Sequence, residues 1–190
     1  MLTASSPASR CFSGLRSYFI PMHTTTLNAL AAFPAQLEAH YAAIPAAFKH
    51  WAPASWDGVP SEPLTALEQV CHVRDIEIDG YQLRLRRALS EAKPVLASMD
   101  TEALARERNY ASADARKMLA EFAQARARTV ALVAALTPEQ LQRPAVFEGY
   151  GPVSVRGLVH YLCSHDQQHL AGLQWLLGKI DAASLAHLAA

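Results

Sequence analysis

Four long segments with the hydrophobic spacing of an α-helix, each closed off by proline or glycine, constrain this chain more than any other feature. The first is expected over about residues 27–48, with Pro34 near its start and Pro45 at a stop or kink, since proline lacks the N–H and clashes inside a helix. A loop follows in "WAPASWDGVPSEP" (51–63), marked by Pro53, Gly58, Pro60 and Pro63. The second helix is expected over about 64–91, ending before Pro94. The connection at 93–110 is long for an antiparallel turn, with room for a short helix and a crossing of the bundle. The third helix opens at Ser112 as N-cap and continues to about Leu136. A further connection (137–154) leads to the fourth, from Ser154 as N-cap to Gly178 as a terminal glycine. Runs rich in Val, Ile and Thr with alternating polarity are missing, so no β-sheet is expected. The reading is an all-α four-helix bundle with a long connection between helices two and three.

Composition narrows the function classes. The 190 residues are 51% hydrophobic, enough for one domain with a proper core. Residues 22–180 are assigned to the bundle, 181–190 to a tail, and 1–21 to a disordered or non-native extension. That opening stretch, "MLTASSPASRCFSGLRSYFIP", is Ser-rich and free of acids but lacks the apolar run of a secretory signal. Seventeen basic residues balance seventeen acidic ones, so nucleic acid is not the expected partner. Three cysteines without a CxxC fit a reducing cytoplasm. No stretch approaches the roughly 20 apolar residues of a membrane span.

The fourth segment contains "HDQQH" (165–169) inside an otherwise apolar helix. At about 100° per residue, His169 falls within the stripe formed by Leu158, Leu162, Leu173 and Leu176, and His165 falls on its margin. Buried imidazoles need partners, because an unpaired buried polar group costs on the order of 1–3 kcal/mol. Two histidines four residues apart suit a divalent metal; neighbouring side chains or buried water would also satisfy them. In the second segment, His72 lies at the edge of an apolar face that includes Leu67, Cys71, Ile78 and Leu85. Glu68, Asp75 and Asp79 flank it, as expected for a cleft wall, although a surface histidine would show the same pattern.

Trp56, "LEQVCHVRDIE" (67–77), "FAQARARTV" (122–130) and "GYGPVSVRGLVHYLCSHDQQHLAGL" (149–173) together resemble the DinB/YfiT-like superfamily of damage-inducible proteins and thiol transferases. The resemblance spans roughly residues 25–178. It implies an up-down-down-up four-helix bundle and a metal site of one histidine from the second helix and two from the fourth. On this chain those are His72, His165 and His169. It further implies zinc or nickel as the ion and a homodimer as the assembly.

Three neutral ligands leave a divalent ion its charge and an open position, the pattern of catalytic rather than structural sites. The resemblance implies a metal-dependent enzyme acting on a small molecule, either a transferase using a low-molecular-weight thiol or a hydrolase. A non-catalytic, metal-stabilised stress-response or binding protein is the alternative. Glu68 and Asp75, each about one turn from His72, are candidates to orient the imidazole or serve as base, or else form a solvated face. Asp166 sits where zincin proteases carry a glutamate, but its direction and length argue against that role. Tyr161 faces the cleft either as a hydrogen-bond donor or as packing with its hydroxyl at the rim. Arg84, Arg86 and Arg87 attract an anionic cosubstrate or simply snorkel. Cys163 points away from the site, and Cys71 is expected to be buried and inert.

Overall fold

Helix α1 (Thr24–Ala43) carries Pro34 in its middle rather than near its start, and ends before the expected limit, with Ile44 as its C-cap. Proline at 34 cannot donate to the carbonyl of Leu30, four residues back. That carbonyl is buried inside the bundle and accepts instead from Arg126 Nη1 at 3.3 Å. A long-range hydrogen bond thus replaces the missing local one, and the helix continues. The computed structural model describes residues 21–188; the expected extension lies outside the described residues except for Pro21.

Helix α2 (Ala66–Asp75) starts with a capping box, in which the Thr65 side chain accepts from Glu68 N–H and the Glu68 carboxylate accepts from Thr65 N–H. It runs without a break through a π-helical turn (Ile76–Tyr81) into α3 (Gln82–Ser90). The long connection that follows holds β1 (Val95–Leu96), α4 (Thr101–Glu107) and a 3₁₀ turn. Helix α5 (Ala115–Ala134) is capped by Asp114, two residues later than the expected Ser112. The short α6 (Pro138–Leu141), strands β2 (Pro144–Phe147) and β3 (Gly151–Ser154), and α7 (Val155–Leu188) complete the chain.

Side-chain pairings fix the helix directions. Phe33 packs on Phe122 while Leu30 meets Arg126, so α1 and α5 are antiparallel. Arg74 pairs with Glu121, Glu77 with Arg126 and Gln82 with Thr129, so α2–α3 and α5 run parallel. Gln69 meets His169 and Tyr81 meets His165, so α2 and α7 are antiparallel. The order is up-down-down-up, with α2–α3 and α7 forming the cleft that holds the histidines.

Two sequence expectations are corrected. A small sheet is present: β1 pairs parallel with β2, and β2 forms an antiparallel hairpin with β3. It lies within the connections between the long helices, and its buried residues Leu96, Ala145 and Phe147 join the core of Leu85, Leu158 and Leu162. Gly178 does not end the fourth helix, which continues to Leu188. Gly178 does not take the left-handed backbone conformation of a terminal glycine, so the helix continues through it.

Candidate metal centre

Helix α7 presents His165 and His169 one turn apart, and α2 brings His72 against them. The Nε2 atom of His165 lies 3.1 Å from Nε2 of His72 and 3.2 Å from Nε2 of His169. Ligands about 2.0–2.1 Å from a tetrahedral ion stand about 3.3 Å from one another. His72 and His169 are fully buried and His165 is half-buried, so His72 lies deeper than the margin position read from the helical wheel.

A fourth side chain joins from the loop before α2. Glu62 places Oε2 3.3 Å from His169 Nε2 and Oε1 3.7 Å from His72 Nε2. The ligand atoms of these four residues all lie within 4.8 Å of one another. Nothing in the periodicity pointed to Glu62; its one signal was an acid held between Pro60 and Pro63 near the start of the second helix.

The surroundings prepare the imidazoles as lone-pair donors. Gln69 is fully buried; its Nε2 donates to the Leu64 carbonyl at 3.4 Å, which turns Oε1 towards His169. Oε1 accepts from Nδ1–H of His169 at 3.1 Å, leaving Nε2 of that ring bare. Gln69 was also missed, although an amide on an inward face one turn before His72 is a readable signal. Burial, and then the charge His169 would carry, lower His72 from its ordinary 6.5 to about 4. Burial and its two histidine neighbours hold His165 well below the ordinary value. Burial alone would raise the Glu62 carboxyl, but its hydrogen bond to His169 and the nearby imidazoles more than offset this and keep it low. At neutral pH the cluster therefore combines neutral imidazoles at His72 and His165 with an ionised carboxylate at Glu62.

This donor set fits a divalent ion. Packing three nitrogen acceptors at 3.1–3.2 Å leaves too few protons to satisfy each, whereas a shared cation satisfies all three at once. His165 Nδ1 is buried with no hydrogen-bond partner among the described residues.

The other residues marked in the sequence lie elsewhere. Glu68 is engaged at the α2 cap by Thr65. Asp75 is buried on another flank of α2, accepting from Tyr110 Oη at 2.6 Å and pairing with Arg74 and with Arg108 at 2.8 Å. It lines a cleft of about 680 Å³ with Cys71, Ile78 and Lys117. Asp166 is buried against Arg126, at 2.5 and 2.9 Å, and has no place among the imidazoles. Arg126 also binds Glu77 through Nε and Nη2 at 3.1 and 2.9 Å, joining three helices below the histidines. Arg84 is buried and donates to the Ala97 carbonyl, Arg87 is half-buried and pairs with Glu91, and Arg86 is exposed. Tyr161 is more than one-third exposed, with its ring on Tyr150 rather than in the core. Burial and the neighbouring Asp75 push the Cys71 thiol up to about 12, so it stays protonated at neutral pH.

Residues 29–173 match the DinB superfamily, and the chain belongs to that family. A protein of Oceanobacillus iheyensis whose name proposes a metal-dependent hydrolase is 33% identical over 107 residues. That alignment covers 55% of this chain and 60% of the relative, so the chain spans less than two thirds of that protein's length. The solved structure of YfiT from Bacillus subtilis, described as a probable metal-dependent hydrolase with an unusual four-helix bundle topology, superposes with a TM-score of 0.72 at 21% identity. The overlap covers 83% of this chain and 86% of YfiT, a likeness of fold. No helix among the described residues is long and apolar enough to cross a membrane.

Proposed function

We propose that this chain is a divalent-metal-dependent hydrolase of a small molecule, with zinc or nickel held by Nε2 of His72, His165 and His169. The observation that carries the reading is the convergence of three imidazole nitrogens with an ionised carboxylate in one cleft. A divalent ion in that position supplies Lewis acidity, enough to acidify a water or thiol beside it and to polarise a carbonyl or phosphoryl oxygen. Glu62 is the proton acceptor: its side chain is 40% exposed while the imidazoles behind it are covered, so it stands at the mouth of the site. Gln69 orients His169, and the buried Arg126 pairs hold α7 against α2–α3 so that the two halves of the site stay in register.

Hydrolysis is favoured over thiol transfer on two counts. A carboxylate sits where a base for water is needed, and of the three arginines marked to attract an anionic thiol cosubstrate, Arg84 and Arg87 are engaged by the Ala97 carbonyl and Glu91, which leaves the exposed Arg86. The names carried by the Oceanobacillus protein and by YfiT support the same class of chemistry.

The test begins with metal analysis of the purified protein and of the His72→Ala, His165→Ala and His169→Ala variants. One ion per chain is expected in the wild type, and strong loss in each variant; full retention in all three overturns the site. Metal-stripped and reconstituted protein is then assayed on a panel of small esters, amides and phosphoesters. Glu62→Gln is expected to keep its metal while losing about 10²–10⁴-fold in turnover, the usual contribution of a positioned general base. Turnover unchanged in Glu62→Gln, or transfer to glutathione without hydrolysis, overturns the hydrolase reading.

A further inference from the structure

A wall of aromatic rings, bridged at one point by a guanidinium, extends from His165. The Tyr81 ring centroid lies 6.4 Å from that of His165. The Arg84 guanidinium sits 5.2 Å from the Tyr81 centroid and 4.6 Å from that of Phe147, anchored by its bonds to the Ala97 carbonyl. Phe147 stacks on Tyr150 with centroids 4.6 Å apart and planes 8° from parallel. Tyr150 in turn packs on Tyr161 at 4.7 Å. Tyr161 precedes His165 by one turn of α7, about 6 Å along the helix axis. The series of contacts leaves His165 through Tyr81 and ends at Tyr161, one helical turn before His165.

Exposure changes sharply along this wall. Tyr81 and Phe147 are buried, whereas Tyr150 is 56% and Tyr161 37% exposed. Tyr150 occupies the tip of the β2–β3 hairpin between Gly149 and Gly151, with φ of +82° and +81°, a conformation that side-chain-bearing residues rarely adopt. The turn is therefore shaped by glycine to lay the Tyr150 ring on Phe147. Its underside is packed on Phe147, whose own ring carries the Arg84 cation, and the Tyr150 ring remains largely open to solvent. A supported aromatic face next to a half-buried imidazole differs from a single stray exposed ring.

We propose that Tyr150 and Tyr161 form an aryl-binding subsite beside His165, so that the small molecule taken by the site carries an aromatic ring. The inference rests on the metal-centre reading for the position of the reacting group, and on the ring geometry for the substrate class. Stacking on such a face discriminates by up to about tenfold in affinity.

Zinc-loaded protein titrated calorimetrically with acetohydroxamate and benzohydroxamate tests this, because the two share a metal-binding head and differ by one ring. Benzohydroxamate is expected to bind about tenfold tighter. In Tyr150→Ala/Tyr161→Ala the ratio should fall towards one, while zinc content and acetohydroxamate affinity hold. Equal affinities in the wild type, or a ratio unmoved in the double variant, overturn the proposal. So does a double variant whose only change is from dimer to monomer, which would make the rings a self-association surface. Phenol titrated into metal-free protein and followed by tyrosine ring NMR separates the two readings. Shifts at Tyr150 and Tyr161 without metal-dependent hydroxamate binding would support the subsite and overturn the metal centre. Shifts confined to other rings overturn the subsite.

Discussion

Gln69 and His169, a hundred residues apart in sequence, meet as acceptor and donor at 3.1 Å, with both side chains fully buried. Because Leu64 fixes which end of the amide faces the ring, the contact sets one tautomer of His169. Gln69→Leu should therefore weaken zinc binding about 10–100-fold, the usual cost of losing a support to a metal-bound imidazole. Competition against a chromophoric chelator measures it. Circular dichroism of the metal-free variant should keep its helical signal, and unchanged zinc affinity would remove Gln69 from the site.

Two glycines of α7 give opposite expectations. A Cβ at Gly172 would collide with Ser61 Oγ and sit 2.8 Å from Gln69 Oε1, so Gly172→Ala should push the Glu62 loop and the Gln69 amide outward. Lower zinc affinity and a lower Tm are expected. Gly178→Ala enters open space within the same helix and should stabilise the fold by about 0.5–1 kcal/mol. Parallel thermal melts check both; a stabilised Gly172→Ala would contradict the packing described.

Removing the buried cation should be severe. Arg126 faces Glu77 and Asp166, all three covered from solvent, and also satisfies the Leu30 carbonyl that Pro34 leaves open. Arg126→Met strands two carboxylates and should cost about 3–5 kcal/mol. Adding Glu77→Gln and Asp166→Asn should recover part of that loss. Urea denaturation of the single and triple variants is the measurement, and a triple variant less stable than Arg126→Met would refute the stranded-charge account.

In metal-free protein His72 contributes a pH-dependent term of known sign. Its folded value of about 4 lies below the ordinary 6.5, so the unfolded chain binds the extra proton between those limits. The contribution is fully present above pH 6.5 and is lost as pH falls towards 4. The stability difference between wild type and His72→Gln should accordingly shift against the wild type across that window, by a few kcal/mol at most. Urea midpoints at pH 7.5, 6, 5 and 4 give the slope, and a flat difference would show that His72 titrates normally.

The helices and the inward direction of His169 were legible because both rest on a 3.6-residue repeat: the wheel of α7 placed His169 on the inner face, where it lies, whereas His72 fell on a margin and was named only through the family resemblance. What escaped lacks that repeat. Glu62 sits in a loop, where no periodicity assigns a face. The strands are two to four residues long, and β2 and β3 each contain a proline, too short and broken for alternation to show. Pro34 read as a helix start because the group that tolerates it, Arg126, lies 92 positions away. Tyr161 was placed in the cleft by its angle, but the hairpin that brings Tyr150 against it was invisible.

The π-helical turn at Ile76–Tyr81 takes more residues per turn than its flanks, so the second half of this long helix presents its side chains at an angle offset from the first. His72 and Gln69 precede it; Arg84, which backs Tyr81 and Phe147, follows. Substitutions after the turn can therefore remodel what the cleft accepts without rotating the imidazole before it. Such a division lets one scaffold conserve its inorganic chemistry while its organic repertoire diversifies.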